Sequence, residues 1–133
     1  MEFCGTHLLV EFSACRNSEL LDDVQQIEEV LRQGLEVANF TLVKLFSHKF
    51  YPIGVTSVAI VSESHVSIHT YPETGHVSID IYHCSDGSLP LLRLMEHLKL
   101  HFQPAESLYA EAVRGRALRV STPYPVCMIE LTV

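Results

Sequence analysis

Alternation of apolar and polar positions is clearest between residues 61 and 84. Residues 64–71 place an apolar or small side chain at every second position, and residues 76–84 repeat the pattern after a short gap that contains Pro72 and Gly75. Successive side chains of a strand point to opposite faces, so the pattern predicts two half-buried strands. Proline and glycine in the gap favour a tight hairpin turn.

The register of this hairpin follows from its centre at Glu73-Thr74. A two-residue or a four-residue loop there gives the same pairs: Tyr71 with His76, His69 with Ser78, His65 with Tyr82 and Glu63 with Cys84. Paired residues share a face, with Cβ atoms about 4.5–5.5 Å apart. The register therefore predicts that the Cys84 thiol lies close to the Glu63–Ser64 peptide bond. His69 should lie further along the same face, so that a serine, a histidine and a cysteine converge on that bond.

Apolar residues at helical spacing predict a first helix before the hairpin. Asn17 or Ser18 is its predicted N-cap. Asp22 and Asp23 then fall in the first turns, where carboxylates favour the helix dipole. Gly34 marks the predicted end of this helix.

A second helix is predicted between Ser88, its N-cap, and Pro104, which stops it. Besides the hairpin, strands are predicted at residues 7–13, 40–47, 55–61 and 108–113, and residues 126–133 have strand-like composition. Two helices and about six mostly antiparallel strands indicate an α+β fold, a two-layer sandwich with both helices on one face of the sheet.

Composition and charge limit the classes of protein to which this chain can belong. The chain has 133 residues, of which 47% are hydrophobic and 19% charged, which predicts one folded domain. A net charge of −7 disfavours nucleic acid as a partner. We expect no signal peptide, because the N-terminal residues lack a basic stretch followed by an apolar run, and no membrane span. The predicted location is the cytoplasm.

Four cysteines, at positions 4, 15, 84 and 127, show no C-x-x-C spacing, so neither a disulfide framework nor a zinc site is indicated. Free thiols fit a reducing compartment. His65 with His69, and His83 with Cys84, are nominal metal pairs that lack a placed third ligand. No metal is predicted.

Residues 62–73 read SESHVSIHTYPE, and residues 80–84 read DIYHC. Together they resemble the bacterial and archaeal S-adenosylmethionine decarboxylase proenzymes, and the resemblance extends over about residues 4–115. It implies a sheet with helices on one side, a homodimer, and autocatalytic cleavage between Glu63 and Ser64 into chains of residues 1–63 and 64–133. Residues 116–133 lie outside the resemblance and stay unassigned.

The resemblance also implies the chemistry. Cleavage in these enzymes turns the serine, here Ser64, into a pyruvoyl cofactor, which forms a Schiff base with the substrate and accepts the electrons released with CO₂. His69 matches the base for processing, and Cys84 matches the proton donor for decarboxylation. Thr56 stands where the family has a serine that assists the acyl shift. The neighbouring Ser57 leaves open which hydroxyl assists.

Three residues match substrate contacts of the family. Glu73 corresponds to the glutamate that binds the ribose hydroxyls, Phe50 to an aromatic that stacks on adenine, and Tyr71 stands where a tryptophan is common. The implied reaction converts S-adenosylmethionine into the aminopropyl donor for spermidine synthesis. Two alternatives stay open: a pyruvoyl enzyme for ornithine or arginine, and an uncleaved binding module of the same fold.

Overall fold

The computed structural model describes residues 3–84 and 87–124. Its elements, in chain order, are β1 (Phe3–Cys15), a 3-10 turn (Leu20–Asp22), α1 (Val24–Val37), β2 (Leu42–Lys49), β3 (Val55–Val61), β4 (Ser64–Tyr71), β5 (His76–His83), α2 (Leu89–Phe102), β6 (Pro104–Gly115) and β7 (Arg119–Ser121). The strands form one sheet in the order β2-β3-β4-β5-β1-β6-β7, and neighbouring strands run antiparallel. This confirms the predicted α+β sandwich.

Burial separates the two faces of the sheet. The helix-facing side chains of β4 and β5 are fully buried with apolar residues of both helices; they include Val66, Ile68, Val77, Ile79, Ile81, Ile27, Leu31, Leu94 and Leu98. The opposite side, which we call the open face, carries the partly exposed His65, Ser67, His69, Ser78 and Asp80. Alternation along the two strands predicted this division, because burying one face stabilises apolar residues at every second position.

The hairpin register is confirmed. Strands β4 and β5 pair Tyr71 with His76, His69 with Ser78 and His65 with Tyr82. Just beyond the end of that ladder, the Cys84 Sγ lies 4.0 Å from the carbonyl oxygen of Glu63. The thiol therefore lies close to the Glu63–Ser64 bond, as predicted.

The predicted start of the first helix was wrong. Residues Leu20–Asp22 form a 3-10 turn that buries Leu20 and Leu21, and α1 begins only after Asp23. The Asp23 side chain is the N-cap and accepts a hydrogen bond from the Gln26 N–H at 3.0 Å. Asn17 instead donates its amide to the carbonyl of His101 at 3.0 Å, which ties the start of this segment to the end of α2.

The predicted end of the first helix at Gly34 was also wrong, because α1 continues to Val37. Gly34 is a contact position between the helices. A Cβ atom there would lie 2.7 Å from Leu94 Cδ1 and 2.9 Å from His97 Cδ2. The glycine therefore lets α2 approach α1 closely.

Several strands differ in extent from the prediction. β1 and β6 are longer because they pair with each other from Phe3–Gly115 to Cys15–Pro104. β2 begins two residues late because the N–H of Phe40, predicted to lie in it, donates to the Leu35 carbonyl of α1 at 2.8 Å. The short β7 was not predicted, and the strand-like residues 126–133 lie outside the described residues. Over those described residues, no helix is long and apolar enough to cross a membrane.

Candidate active site

Ser64 is the first residue of β4, and the two-residue turn Ser62-Glu63 connects it to the end of β3. Its Oγ is buried and has no hydrogen-bond partner among the described residues. A buried hydroxyl without a partner is costly, so its presence next to a peptide bond marks a candidate nucleophile. Cys84, which is exposed, contacts the Glu63 carbonyl of that bond through its thiol.

His83, the last residue of β5, contacts the same turn. Its Nε2 is 3.1 Å from the carbonyl oxygen of Ser62, and its ring stacks on Phe40 with centroids 4.3 Å apart and planes 5° from parallel. The sequence singled out this histidine only as a nominal metal pair with Cys84. No local pattern signals the contact, because Phe40 comes from a distant part of the chain. We call Glu63, Ser64, His83 and Cys84 the Ser64 cluster.

A second group of candidate residues lines a cleft of about 320 Å³ at the other end of β4; its lining residues are Phe50, Ile53, Gly54, Thr56, His69, Thr70, Tyr71 and Glu73. The cleft brings together all three residues that the resemblance assigns to substrate and two that it assigns to processing. Sequence reasoning missed Ile53, Gly54 and Thr70 as lining residues. We call this group the His69 cleft.

Thr56 and Ser57 lie on opposite sides of β3. The Thr56 Oγ1 is 3.1 Å from His69 Nδ1 on the open face. Ser57 is fully buried on the helix side, where its Oγ lies 2.7 Å from the Ser47 Oγ. The Ser47 hydroxyl in turn donates to Glu28 Oε2 at 2.7 Å. Of the two hydroxyls, that of Thr56 is therefore the one beside His69.

The Ser64 cluster and the His69 cleft are separate within one chain. His69 is five residues after Ser64 in the same strand, which at the usual rise corresponds to about 16 Å. Alternation also turns the two side chains to opposite faces. The expectation that Ser64, His69 and Cys84 converge on one bond was therefore wrong for His69 within a single chain.

Charged and polar groups fill the open face between the two groups. Asp80 binds His7 Nε2 at 3.0 Å through Oδ1 and accepts the Ser67 hydroxyl at 3.1 Å through Oδ2. The Arg114 guanidinium lies 3.3 Å from His7 Nδ1 and its centre is 4.5 Å from the centroid of the Tyr82 ring. The centre of the open face is therefore polar, and its residues on β4 and β5 are only partly exposed.

The structure offers no group of three or more metal-ligating side chains arranged around one point, so far as residues 3–84 and 87–124 are concerned. The nominal pairs found in the sequence do not gain a third ligand in this part of the chain.

Comparison with known proteins agrees with this geometry. A family model described as S-adenosylmethionine decarboxylase matches residues 6–115. The S-adenosylmethionine decarboxylase proenzymes of Thermotoga petrophila and Thermotoga maritima are each 37% identical over 123 residues, which is 92% of this chain and 93% of theirs. That of Methanococcus maripaludis is 41% identical over 90 residues, covering 68% of this chain and 73% of the relative.

A solved structure is also similar. The crystal structure of the adenosylmethionine decarboxylase from Aquifex aeolicus superimposes with a TM-score of 0.79 at 30% identity, covering 86% of this chain and 93% of that one. The fold and these relatives thus define a decarboxylase that is made as a proenzyme. This chain belongs to the S-adenosylmethionine decarboxylase family.

Proposed function

We propose that this chain is the precursor of a pyruvoyl-dependent enzyme that cleaves itself between Glu63 and Ser64 and then decarboxylates S-adenosylmethionine to the aminopropyl donor for spermidine synthesis. The observation that carries the proposal is the buried, unpartnered Ser64 hydroxyl next to the Glu63 carbonyl. The names of the relatives support it, because they are S-adenosylmethionine decarboxylase proenzymes.

Self-cleavage requires only groups of this chain and water. The Ser64 hydroxyl attacks the Glu63 carbonyl carbon, the C–N bond breaks, and an ester replaces the amide. A base then removes the Cα proton of Ser64, which expels the Glu63 carboxylate and leaves dehydroalanine. Hydrolysis releases ammonia and leaves a pyruvoyl group at position 64. We assign His69 of a second copy of the chain as the base, and Thr56 of that copy, which contacts its imidazole, as the assisting hydroxyl.

Formation of the cofactor at position 64 places it beside Cys84. The pyruvoyl group, once formed, supplies an electron sink for the bond that releases CO₂. Cys84 then has the position for returning a proton to the product carbon, because its thiol is exposed and points to the carbonyl that precedes position 64. The same thiol is not needed to form the ester.

The His69 cleft suits the nucleoside part of the substrate. Phe50 and Tyr71 present aromatic rings that are 47% and 44% exposed, which suits stacking on adenine. Among the residues that the structure describes, Glu73 is the only carboxylate that lines the cleft, and no lysine or arginine lines it. A carboxylate accepts hydrogen bonds from both hydroxyls of a ribose and favours a cationic sulfonium.

A homodimer would complete the site. In one chain the Ser64 cluster and the His69 cleft occupy opposite ends of β4 on a sheet whose open face is uncovered. A two-fold axis between two such faces, crossing β4 near its middle, lays the His69 cleft of one copy over the Ser64 cluster of the other. We therefore propose that each active site takes Cys84 and position 64 from one copy and His69, Phe50 and Glu73 from its partner.

Intact mass spectrometry tests the cleavage. The purified protein should give two chains, residues 1–63 and 64–133, whereas Ser64→Ala should remain one chain because the nucleophile is absent. Two chains from the Ser64→Ala variant would contradict the mechanism. A wild-type protein that stays intact would instead identify an uncleaved binding module.

Release of labelled CO₂ tests the substrate. Processed protein is incubated in parallel with carboxyl-labelled S-adenosylmethionine, ornithine and arginine. We expect release from S-adenosylmethionine, since the cleft offers an aromatic platform and a carboxylate that the free amino acids do not need. Release from ornithine or arginine alone would reject the substrate while leaving the self-cleavage intact.

A further inference from the structure

Asp22 ties the loop between β2 and β3 to the helical layer. Its Oδ1 accepts a hydrogen bond from the Gly54 N–H at 2.8 Å and lies 2.9 Å from the Lys49 Nζ. The 3-10 turn that carries Asp22 is anchored by Leu20 and Leu21, which are buried in the core. One carboxylate oxygen therefore holds both ends of the loop against a fixed part of the molecule.

Lys49 extends this tie into the loop itself. Its ammonium donates to the carbonyl of Phe50 at 2.9 Å and reaches that of Pro52 at 3.4 Å, in addition to its contact with Asp22. The loop is also closed by a hydrogen bond from the Phe50 N–H to the Gly54 carbonyl at 2.8 Å. The lysine thus has three acceptors, and its charge is directed to the loop backbone instead of the cleft.

The loop that Asp22 and Lys49 hold forms one wall of the His69 cleft. Phe50, Ile53 and Gly54 all line the cleft. The Phe50 ring is also held by an edge contact with His48, whose centroid is 4.6 Å away. Neither Asp22 nor Lys49 lines the cleft, so an effect of either residue on ligand binding must act through the loop.

We propose that Asp22 and Lys49 are positioning residues that set the affinity of the His69 cleft for an adenine nucleoside, by fixing the loop that presents Phe50. The inference rests on the proposed function. A loop that is already fixed in its binding conformation does not have to be ordered by the ligand, and this raises affinity. The Asp22 pKa supports a charged contact at neutral pH, since the hydrogen bond from Gly54 and then Lys49 lower it.

The test measures nucleoside binding apart from turnover. Asp22→Ala and Lys49→Met are prepared in the full chain, and 5′-methylthioadenosine serves as a probe because it has adenine and ribose but no amino acid. We expect its Kd to rise about 10-fold in each variant. The KM for S-adenosylmethionine should rise by a similar factor while kcat changes by less than about two-fold. Cleavage at Ser64 should be complete in both variants.

Asp23→Ala is the matched control, because it removes the neighbouring carboxylate, which caps α1 and makes no contact with the loop. It should lower the melting temperature and leave Kd and KM unchanged. The double variant Asp22→Ala/Lys49→Met should bind the probe about as weakly as either single variant, since both remove the same contact. This non-additivity distinguishes the ion pair from a general loss of stability.

Three results would overturn the proposal. In the first, wild-type protein binds methylthioadenosine while the Asp22 and Lys49 variants bind it equally well; only the positioning role then fails. In the second, kcat falls in these variants with no change in KM or Kd, which also rejects that role. In the third, wild-type protein neither binds the probe nor releases CO₂ from S-adenosylmethionine; the proposed function then fails and the positioning role with it.

Discussion

The two cysteines whose side chains are described, Cys15 and Cys84, differ in reactivity because of their surroundings. Cys15 is buried, and burial raises the pKa of its thiol to about 11. It therefore stays protonated and inaccessible at neutral pH. Cys84 is exposed and lies against the Glu63 carbonyl. The sequence alone presents both as free thiols; the distinction depends on which of them the fold leaves open to a substrate.

Cys84→Ala should separate the two stages of the reaction. We expect this variant to cleave itself, because its thiol is not needed to form the ester, and to lose at least about 100-fold in kcat for decarboxylation, a typical loss when a proton donor is removed. Mass spectrometry follows the first stage and CO₂ release the second. Cys15→Ala is the control and should keep its turnover. Full turnover by Cys84→Ala would reject its assigned role.

Glu73→Gln tests the carboxylate of the cleft. A charge-assisted hydrogen bond contributes about 1.5–3 kcal/mol, so kcat/KM for S-adenosylmethionine should fall roughly 10- to 100-fold. Cleavage at Ser64 should continue, because Glu73 is assigned to the substrate and has no part in forming or breaking the ester. The exposed Glu36 provides a matched substitution, Glu36→Gln, that should leave both unchanged. Unchanged kinetics in Glu73→Gln would show that this residue does not contact the substrate.

At the scale of elements, local patterns predicted the strands of the hairpin and both ends of α2 correctly, but they misplaced both ends of α1. Alternation and a short turn determine a register completely, which is why three predicted pairs recur in the structure. The boundaries of α1 depend instead on contacts with distant residues. Asn17 binds the end of α2, and Gly34 packs against Leu94. An interpretation of the sequence that takes Gly34 as a helix end does not detect its contact with Leu94.

Gly34→Ala tests this interpretation of the glycine. Alanine is the better helix former, so replacing a glycine that has no packing role would stabilise the protein. Here we expect a loss of about 1–3 kcal/mol in the free energy of unfolding, because the new methyl group would overlap Leu94 and His97. Thermal or urea denaturation measures it. Gln33→Ala, on the exposed side of α1, is the control. An increase in stability in Gly34→Ala would refute the close contact.

At the scale of the whole molecule, the sequence predicted candidate site residues but misjudged their arrangement within one chain. Ser64 and His69 belong to one short motif, and the motif lies on one strand, so its two ends are held about 16 Å apart. A straight strand cannot bring them together. The arrangement that we propose joins them through the assembly of two chains, and a single sequence carries no direct signal of that geometry.

Mixed dimers test the shared site. Cys84→Ala and Glu73→Gln chains, each impaired alone, are co-expressed so that they pair at random. If each site combines Cys84 of one chain with Glu73 of the other, half of the dimers contain one intact site, and about a quarter of the wild-type sites recover. Separately purified variants mixed after assembly should recover less. No recovery on co-expression would indicate that both residues act within one chain.

The order of strands in the sheet has a consequence for the molecularity of unfolding. β1 belongs to segment 1–63 but lies between β5 and β6 of segment 64–133, and β3 pairs with β4 across the proposed cut. Neither segment contains all the strands of the sheet. After cleavage, the strands of the two chains therefore lie side by side in one sheet without a covalent link between the chains. A cleaved dimer then dissociates into four molecules on melting, and an uncleaved Ser64→Ala dimer into two. By mass action, the melting temperature of the cleaved enzyme should therefore depend more steeply on protein concentration, as calorimetry at two dilutions can measure.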